Sequence, residues 1–212
     1  MQQSFQATEA DVLVVVDVQN DFCPGGALAV ERGDEVVPLI NKLAPQFRHV
    51  VFTQDWHPPR HASFASTHGK TPFDTLPLYY GEQVLWPDHC VQGTPGAEFH
   101  PALDRRPAEL IVRKGFRPNI DSYSAFFEND HVTRTGLAGY LRDRGFRHLY
   151  VCGLALDFCV KWSALDAVQE GFLATVVEDA CRAIDLNGSL AQARAEMKGA
   201  GILFTQSAKL LA

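Results

Sequence analysis

The chain has 212 residues, 46% of them hydrophobic and 21% charged, with a formal net charge of -6, which is the balance of a globular protein built on one sizeable core. An acidic chain of this kind offers no basic patch for nucleic acid or an anionic membrane, so neither is expected as a partner and a small-molecule ligand is. The five cysteines, Cys23, Cys90, Cys152, Cys159 and Cys181, are odd in number and form no CxxC pair, which argues against a disulfide framework or a zinc finger and for a reducing, cytoplasmic setting.

The N-terminus lacks the basic start and apolar core of a signal peptide, and no apolar run approaches the roughly 18 residues of a membrane span. Residues 12–16 form a β-branched run suited to a strand covered on both faces. The run ends at Asp17 and is followed by a turn-rich loop over 18–26, where α/β proteins place ligand groups. Asp34 can cap a helix whose Val37, Ile40, Leu43 and Phe47 face the sheet, and 49–53 reads as a second strand. Residues 54–107 are dense in proline and histidine with little periodicity, and so long an irregular segment in a compact domain is usually functional.

Alternation resumes with a strand over 109–113 that ends at Lys114, a loop through Tyr123 and Ser124, and a helix near 136–144. A buried strand over 149–151 then turns sharply into a helix on which Val160, Ala164 and Ala167 recur until Gly171. Cys159 is expected in the first turn of that helix, where unpaired N–H groups and the dipole favour a thiolate and lower its pKa. A strand over 172–177, a helix capped by Ser189 with Leu190, Ala193 and Met197 inward, and a strand over 202–204 complete the chain. The expected fold is α/β: a doubly wound, six-stranded, mainly parallel sheet with helices on both faces, a Rossmann-like three-layer sandwich. It is read as one domain over 1–212 with an irregular insertion at about 54–107.

Asp17, Lys114 and Cys159 each lie just after an expected strand, and parallel strands bring their C-terminal ends to one edge. A thiol, a carboxylate able to take its proton and a cation beside both make a nucleophilic set. Taken singly, each reads as well as a solvated loop group or, for the cysteine, a small buried hydrophobe. A second set lies in the irregular segment: Asp55 and His57, one residue apart, and His89. One carboxylate and two imidazoles make a facial ligand set that suits Zn, Fe or Mn. His61 and His68 read as loop histidines or supporting partners, and Cys90 is a ligand by type only. Phe22, Trp86 and Tyr123 are aromatic side chains near these groups, read most plainly as core or lid packing.

DVQNDFCPGGAL at 17–28, TQDWHP at 53–58, HASFASTHG at 61–69, LWPDHCVQGTPGAEFHP at 85–101, RKG at 113–115 and CGLALDFCVKWSA at 152–164 resemble the nicotinamidase/pyrazinamidase branch of the isochorismatase-like cysteine hydrolases. The similarity runs from about Asp11 to the C-terminus, with the motifs in the family's order. It implies that Cys159 is the nucleophile, Asp17 its base and Lys114 the cation orienting both. It implies an oxyanion hole at the backbone of Ala155 and Cys159, a cis peptide between Leu154 and Ala155, and one divalent metal on Asp55, His57 and His89, zinc ahead of iron or manganese. In some members a further histidine joins the metal. His61 does not have that histidine's spacing, whereas Ser63 fits the members that use a water instead. The implied reaction is hydrolysis of nicotinamide to nicotinate and ammonia through a cysteine thioester, in NAD salvage, with pyrazinamide as a second substrate. For the flat pyridine ring that the resemblance implies, Phe22, Trp86 and Tyr123 are the walls. Alternatives are another amidase or an isochorismatase-like hydrolase on the same scaffold, or a nicotinamide- or metal-binding sensor without turnover. The motifs leave monomer and homodimer equally open.

Overall fold

The computed structural model describes residues 5–212. Strand β1 (Asp11–Val16) is buried along its whole length, as a β-branched run requires of a central strand. It pairs in parallel with β2 (Val50–Asp55) on one side and β6 (His148–Leu154) on the other. Beyond β2 lies β5 (Ala108–Lys114), and beyond β6 lie β7 (Leu173–Arg182) and β8 (Leu203–Thr205). The order β5-β2-β1-β6-β7-β8 is parallel throughout. The chain winds outward from β1 to β5, returns to β6 and winds outward the other way. With the near-universal right-handed crossover, α1 (Val36–Leu43) takes one face and α2 (Leu137–Asp143), α3 (Lys161–Gln169) and α4 (Ser189–Gly199) the other. Strand order reverses between β1 and β6, the switch point at which doubly wound sheets bind ligands.

The expected elements are all present, with local differences that have physical causes. Asp34 does not cap α1: it lies in a tight turn over Gly33–Glu35 that leads into the helix, whose own start has no side-chain cap. Phe47 falls just beyond the helix yet is buried, in contact with Phe5 and Tyr150. Ser189 is not a cap either. Its hydroxyl donates to Asp157 Oδ2 at 2.5 Å. Strand β7 runs five residues past the expected end, because Asp179, which reads as a strand breaker, is satisfied by the backbone N–H and hydroxyl of Ser207 at 2.7 and 2.5 Å. The irregular segment contains an antiparallel hairpin, β3 (Thr75–Leu78) with β4 (Gly81–Val84). Its strands are largely exposed and one holds Pro77, so the buried alternation that betrays a strand is missing.

At the switch point β1 and β6 approach very closely. Gly153 pairs with Val16 at a φ of 116°, and a Cβ there would lie 2.1 Å from the Val16 carbonyl oxygen. Gly153→Ala is therefore expected to destabilise the fold by about 3 kcal/mol or more, measured as a fall in the urea midpoint with an unchanged slope.

Candidate active site

Register brings the candidate groups to one edge. Asp55, the last residue of β2, pairs with Lys114, the last of β5. Val16 pairs with Gly153, so Asp17 and the 155–159 turn leave the sheet side by side. Asp17 takes a left-handed φ of 48°, a conformation that Asp adopts more readily than most side chains. Its backbone N–H donates to Thr53 Oγ1 at 3.2 Å, and the Thr53 hydroxyl donates back to Asp17 Oδ1 at 2.6 Å.

Lys114 is fully buried, and its ammonium is the centre of the cluster. It lies 2.9 Å from Asp17 Oδ2 and donates to Asp55 Oδ1 at 3.0 Å, the Ser122 carbonyl at 2.8 Å and Cys159 Sγ at 3.4 Å. Burial alone would depress its pKa. The two carboxylates outweigh it and hold the pKa well above the usual lysine value, so the group is a permanent cation. Burial pushes the Asp17 carboxyl up despite Lys114, and the charge of Asp55 adds to the rise.

Cys159 sits in a π-type turn over Leu156–Val160 that precedes α3, instead of in the first turn of the helix itself. Cys159 is buried, with 7% of the residue exposed. Burial raises its pKa well above the ordinary thiol value, Lys114 pulls the other way, and Asp17 and Asp55 add to the rise. Burial and the two carboxylates thus oppose the lowering that a helix start by itself favours. Ala155 links β6 to this turn, its carbonyl accepts from Phe158 and Val160 N–H at 3.1 Å each, and the Leu154–Ala155 peptide is cis.

Beside this set, His57 Nε2 and His89 Nε2 lie 3.0 and 3.3 Å from Asp55 Oδ2. His57 Nδ1 faces the Gly115 carbonyl at 2.9 Å, and His89 Nδ1 faces that of Pro87 at 2.8 Å. A carbonyl only accepts, so both Nδ1 atoms carry the hydrogen and both Nε2 atoms turn toward one point with Asp55. Asp55 is held well below the usual carboxylate range, burial being outweighed by His57 and Lys114. A buried carboxylate between two imidazoles with backbone-locked tautomers fits one divalent cation. His61 is otherwise engaged: Nε2 faces the Arg117 and Ile120 carbonyls at 2.9 and 3.0 Å, and Nδ1 faces Ser63 Oγ at 2.7 Å. Burial drops its pKa to about 4, with His57 adding to the fall. His68 faces the Ala62 carbonyl at 2.8 Å, in the loop that carries it. Cys90 is buried beside His89 and its thiol is pushed well up by burial and by Asp55.

A narrow cavity lies over Cys159 and reaches Asp55 and His89. Phe22, Trp86 and Tyr123 all line it. Trp86 donates its indole N–H to the Tyr123 hydroxyl at 3.2 Å and meets Phe158 edge-on at 4.9 Å, while Phe22 meets His89 at 5.5 Å.

The sequence model of the isochorismatase domain matches residues 11–208. The chain belongs to the isochorismatase family. It is 58% identical over 200 residues to a nicotinamidase of Acinetobacter baylyi, a match that covers 94% of each chain. The structure of the Acinetobacter baumannii nicotinamidase/pyrazinamidase superposes with a TM-score of 0.95 at 59% identity, covering 96% of this chain and 99% of that one. A Pyrococcus horikoshii pyrazinamidase solved in complex with zinc gives a TM-score of 0.76 at 38% identity, covering 93% and 99%. Among the described residues no helix is long and apolar enough to cross a membrane.

Within this isochorismatase-family site, four lining residues escape sequence reading. Asp121 is buried, takes Gln83 Nε2 at 2.9 Å and lies 3.9 Å from His57 Nε2. It stands in a loop without periodicity, so nothing in the sequence marks it. Phe158 was within reach, since a residue next to Cys159 on a tight turn must border the same space. Leu28 and Ile184 reach the cavity from loops far away in sequence.

Gly115 has a φ of 64°, and a Cβ there would lie 2.5 Å from His57 Cε1 and 3.0 Å from Asp55 Oδ1. Gly115→Ala displaces the imidazole that the Gly115 carbonyl orients. Zinc affinity, measured by competition with a chromophoric chelator, is expected to fall about 10- to 100-fold.

Proposed function

We propose that the chain is a nicotinamidase: an amidohydrolase that converts nicotinamide to nicotinate and ammonia through a thioester on Cys159. The observation that carries this reading is the Lys114 ammonium, which touches Asp17, Asp55 and Cys159 Sγ together and so couples a thiol–carboxylate pair to a metal-type donor set. The kinship with nicotinamidases supplies the substrate. Asp55, His57 and His89 would hold one divalent ion, taken to be zinc because two imidazoles and a carboxylate suit it and a related pyrazinamidase was solved with it. When bound, the ion supplies a Lewis acid that polarises and anchors a heteroaromatic nitrogen.

In this reading the aromatic walls Phe22, Trp86, Tyr123 and Phe158 hold the flat ring and bring the carboxamide carbon to Cys159. Asp17, whose raised pKa makes it a better proton acceptor, takes the proton from Sγ as sulfur attacks. Negative charge that develops on sulfur as the new C–S bond forms lies beside the Lys114 cation. Charge moves to the carbonyl oxygen, where the N–H groups of Ala155 and Cys159 receive it. The C–N bond then breaks, and Asp17 returns its proton to the departing nitrogen, which leaves as ammonia. Water attacks the thioester while Asp17 takes one of its protons. Collapse breaks the C–S bond, releases nicotinate and leaves sulfur to regain the proton from Asp17. Pyrazinamide, with a ring nitrogen in the corresponding place, is expected to be cleaved by the same steps. Nicotinate released in this way would feed pyridine-nucleotide salvage, in the reducing cytoplasm that five free cysteines suit.

Ammonia release from nicotinamide by the wild type and by Cys159→Ala tests the reading. The variant is expected to lose at least about 10³-fold in kcat with its bound metal retained. Equal rates would remove the cysteine mechanism.

A further inference from the structure

Asp157 is 1% exposed and precedes Cys159 by two residues in the same π-type turn. No lysine, arginine or histidine pairs with it among the described residues. Its carboxylate is instead satisfied by the connection between β7 and α4 and by the first residue of α4. Ile184 N–H donates to Oδ1 at 3.0 Å, Asp185 N–H to Oδ2 at 2.8 Å and the Ser189 hydroxyl to Oδ2 at 2.5 Å. That connection has little regular structure of its own. Asp185, Asn187 and Gly188 all take left-handed φ values of 54°, 53° and 83°, a conformation that Asp, Asn and Gly adopt more readily than other residues and that marks a turn. Ile184, two residues past the end of β7, is a wall of the cavity over Cys159.

We infer that Asp157 is a positioning residue for the reaction: it ties the turn that bears Cys159 to the strap that carries Ile184, and so sets how tightly the pocket closes over the thiol. The inference rests on the proposed nucleophilic role of Cys159. The physical argument turns on the three donors. Two backbone N–H groups and a hydroxyl, gathered on one buried carboxylate, hold the strap only while that carboxylate accepts from all of them. An amide in its place keeps one accepting oxygen and presents an NH₂ group to donors, so the strap is released from one side. The released Ile184 no longer seals the cavity, and the 155–159 turn loses its tether.

The test compares wild type with Asp157→Asn and with Ser189→Ala, which removes one donor and leaves the carboxylate in place. Alkylation of Cys159 by iodoacetamide in the metal-loaded protein, located by peptide mapping, reports access to the thiol and requires no turnover. It is expected to quicken about tenfold or more in Asp157→Asn and by less in Ser189→Ala, at temperatures where both are folded. In ammonia-release assays Asp157→Asn is expected to raise KM and lower kcat together, since both closure and the aim of sulfur are lost. If Asp157 only supports the fold, the melting temperature drops while alkylation rate and KM stay at wild-type values, and that result overturns the inference. Should Asp157→Asn fail to fold, Ser189→Ala decides by the same two readouts. Absence of ammonia release by the wild type would sink the nicotinamidase reading, whereas unchanged alkylation sinks the Asp157 inference alone.

Discussion

The structure turns on one buried cation. A lysine ammonium with no exposure to water is costly unless anions and carbonyls surround it, and Lys114 has Asp17, Asp55 and the Ser122 carbonyl within 3.0 Å. Neither carboxylate could be buried so deeply without it. Removing Lys114 would leave two like charges facing each other in a space closed to water. The cluster therefore stands as a unit, and that unit joins the cysteine side of the pocket to the metal-type side. The sheet exists, in this sense, to deliver three strand ends to one ammonium.

The distribution of charge bears on Cys159 as well. A cysteine beside a cation at a helix start is usually expected to ionise more readily, but the Lys114 ammonium is shared with two carboxylates, and burial, with Asp17 and Asp55, pushes the thiol up while Lys114 pulls it down. The proposed reaction therefore calls for a proton acceptor at sulfur, and Asp17 is the carboxylate that the same ammonium holds there.

The parts legible in the sequence are those that a strand's composition announces. β1 reads from five consecutive β-branched or leucine residues, and because strands of a parallel sheet end on one edge, Asp17, Lys114 and Cys159 could be brought together before any coordinates. Asp55 and His57 follow the same logic from the end of β2. What stayed hidden depends on pairing between loops. Asp121 is held by Gln83 across thirty-eight residues of chain, and Ile184 by Asp157 across twenty-seven. Neither contact has a period or a local signature. The surroundings of Cys159 were half legible for a related reason: a helix start is local and visible, whereas the carboxylates of Asp17 and Asp55 that push the thiol up arrive from other strands.

The same contrast separates two kinds of acid in this pocket. Asp17 and Asp55 face a cation, so their charge is bound up with chemistry and with the ion-binding face. Asp157 faces only neutral N–H and O–H donors, so its charge is spent on geometry, and a residue that does no chemistry nonetheless governs where sulfur points. A cysteine site needs both. The ammonium cluster makes proton transfer feasible, but transfer is useful only if the carbonyl carbon and sulfur stay within about 3–3.5 Å in a space that excludes water. A strap of turn residues, held by a carboxylate in the turn that bears Cys159, makes closure and aim a single event.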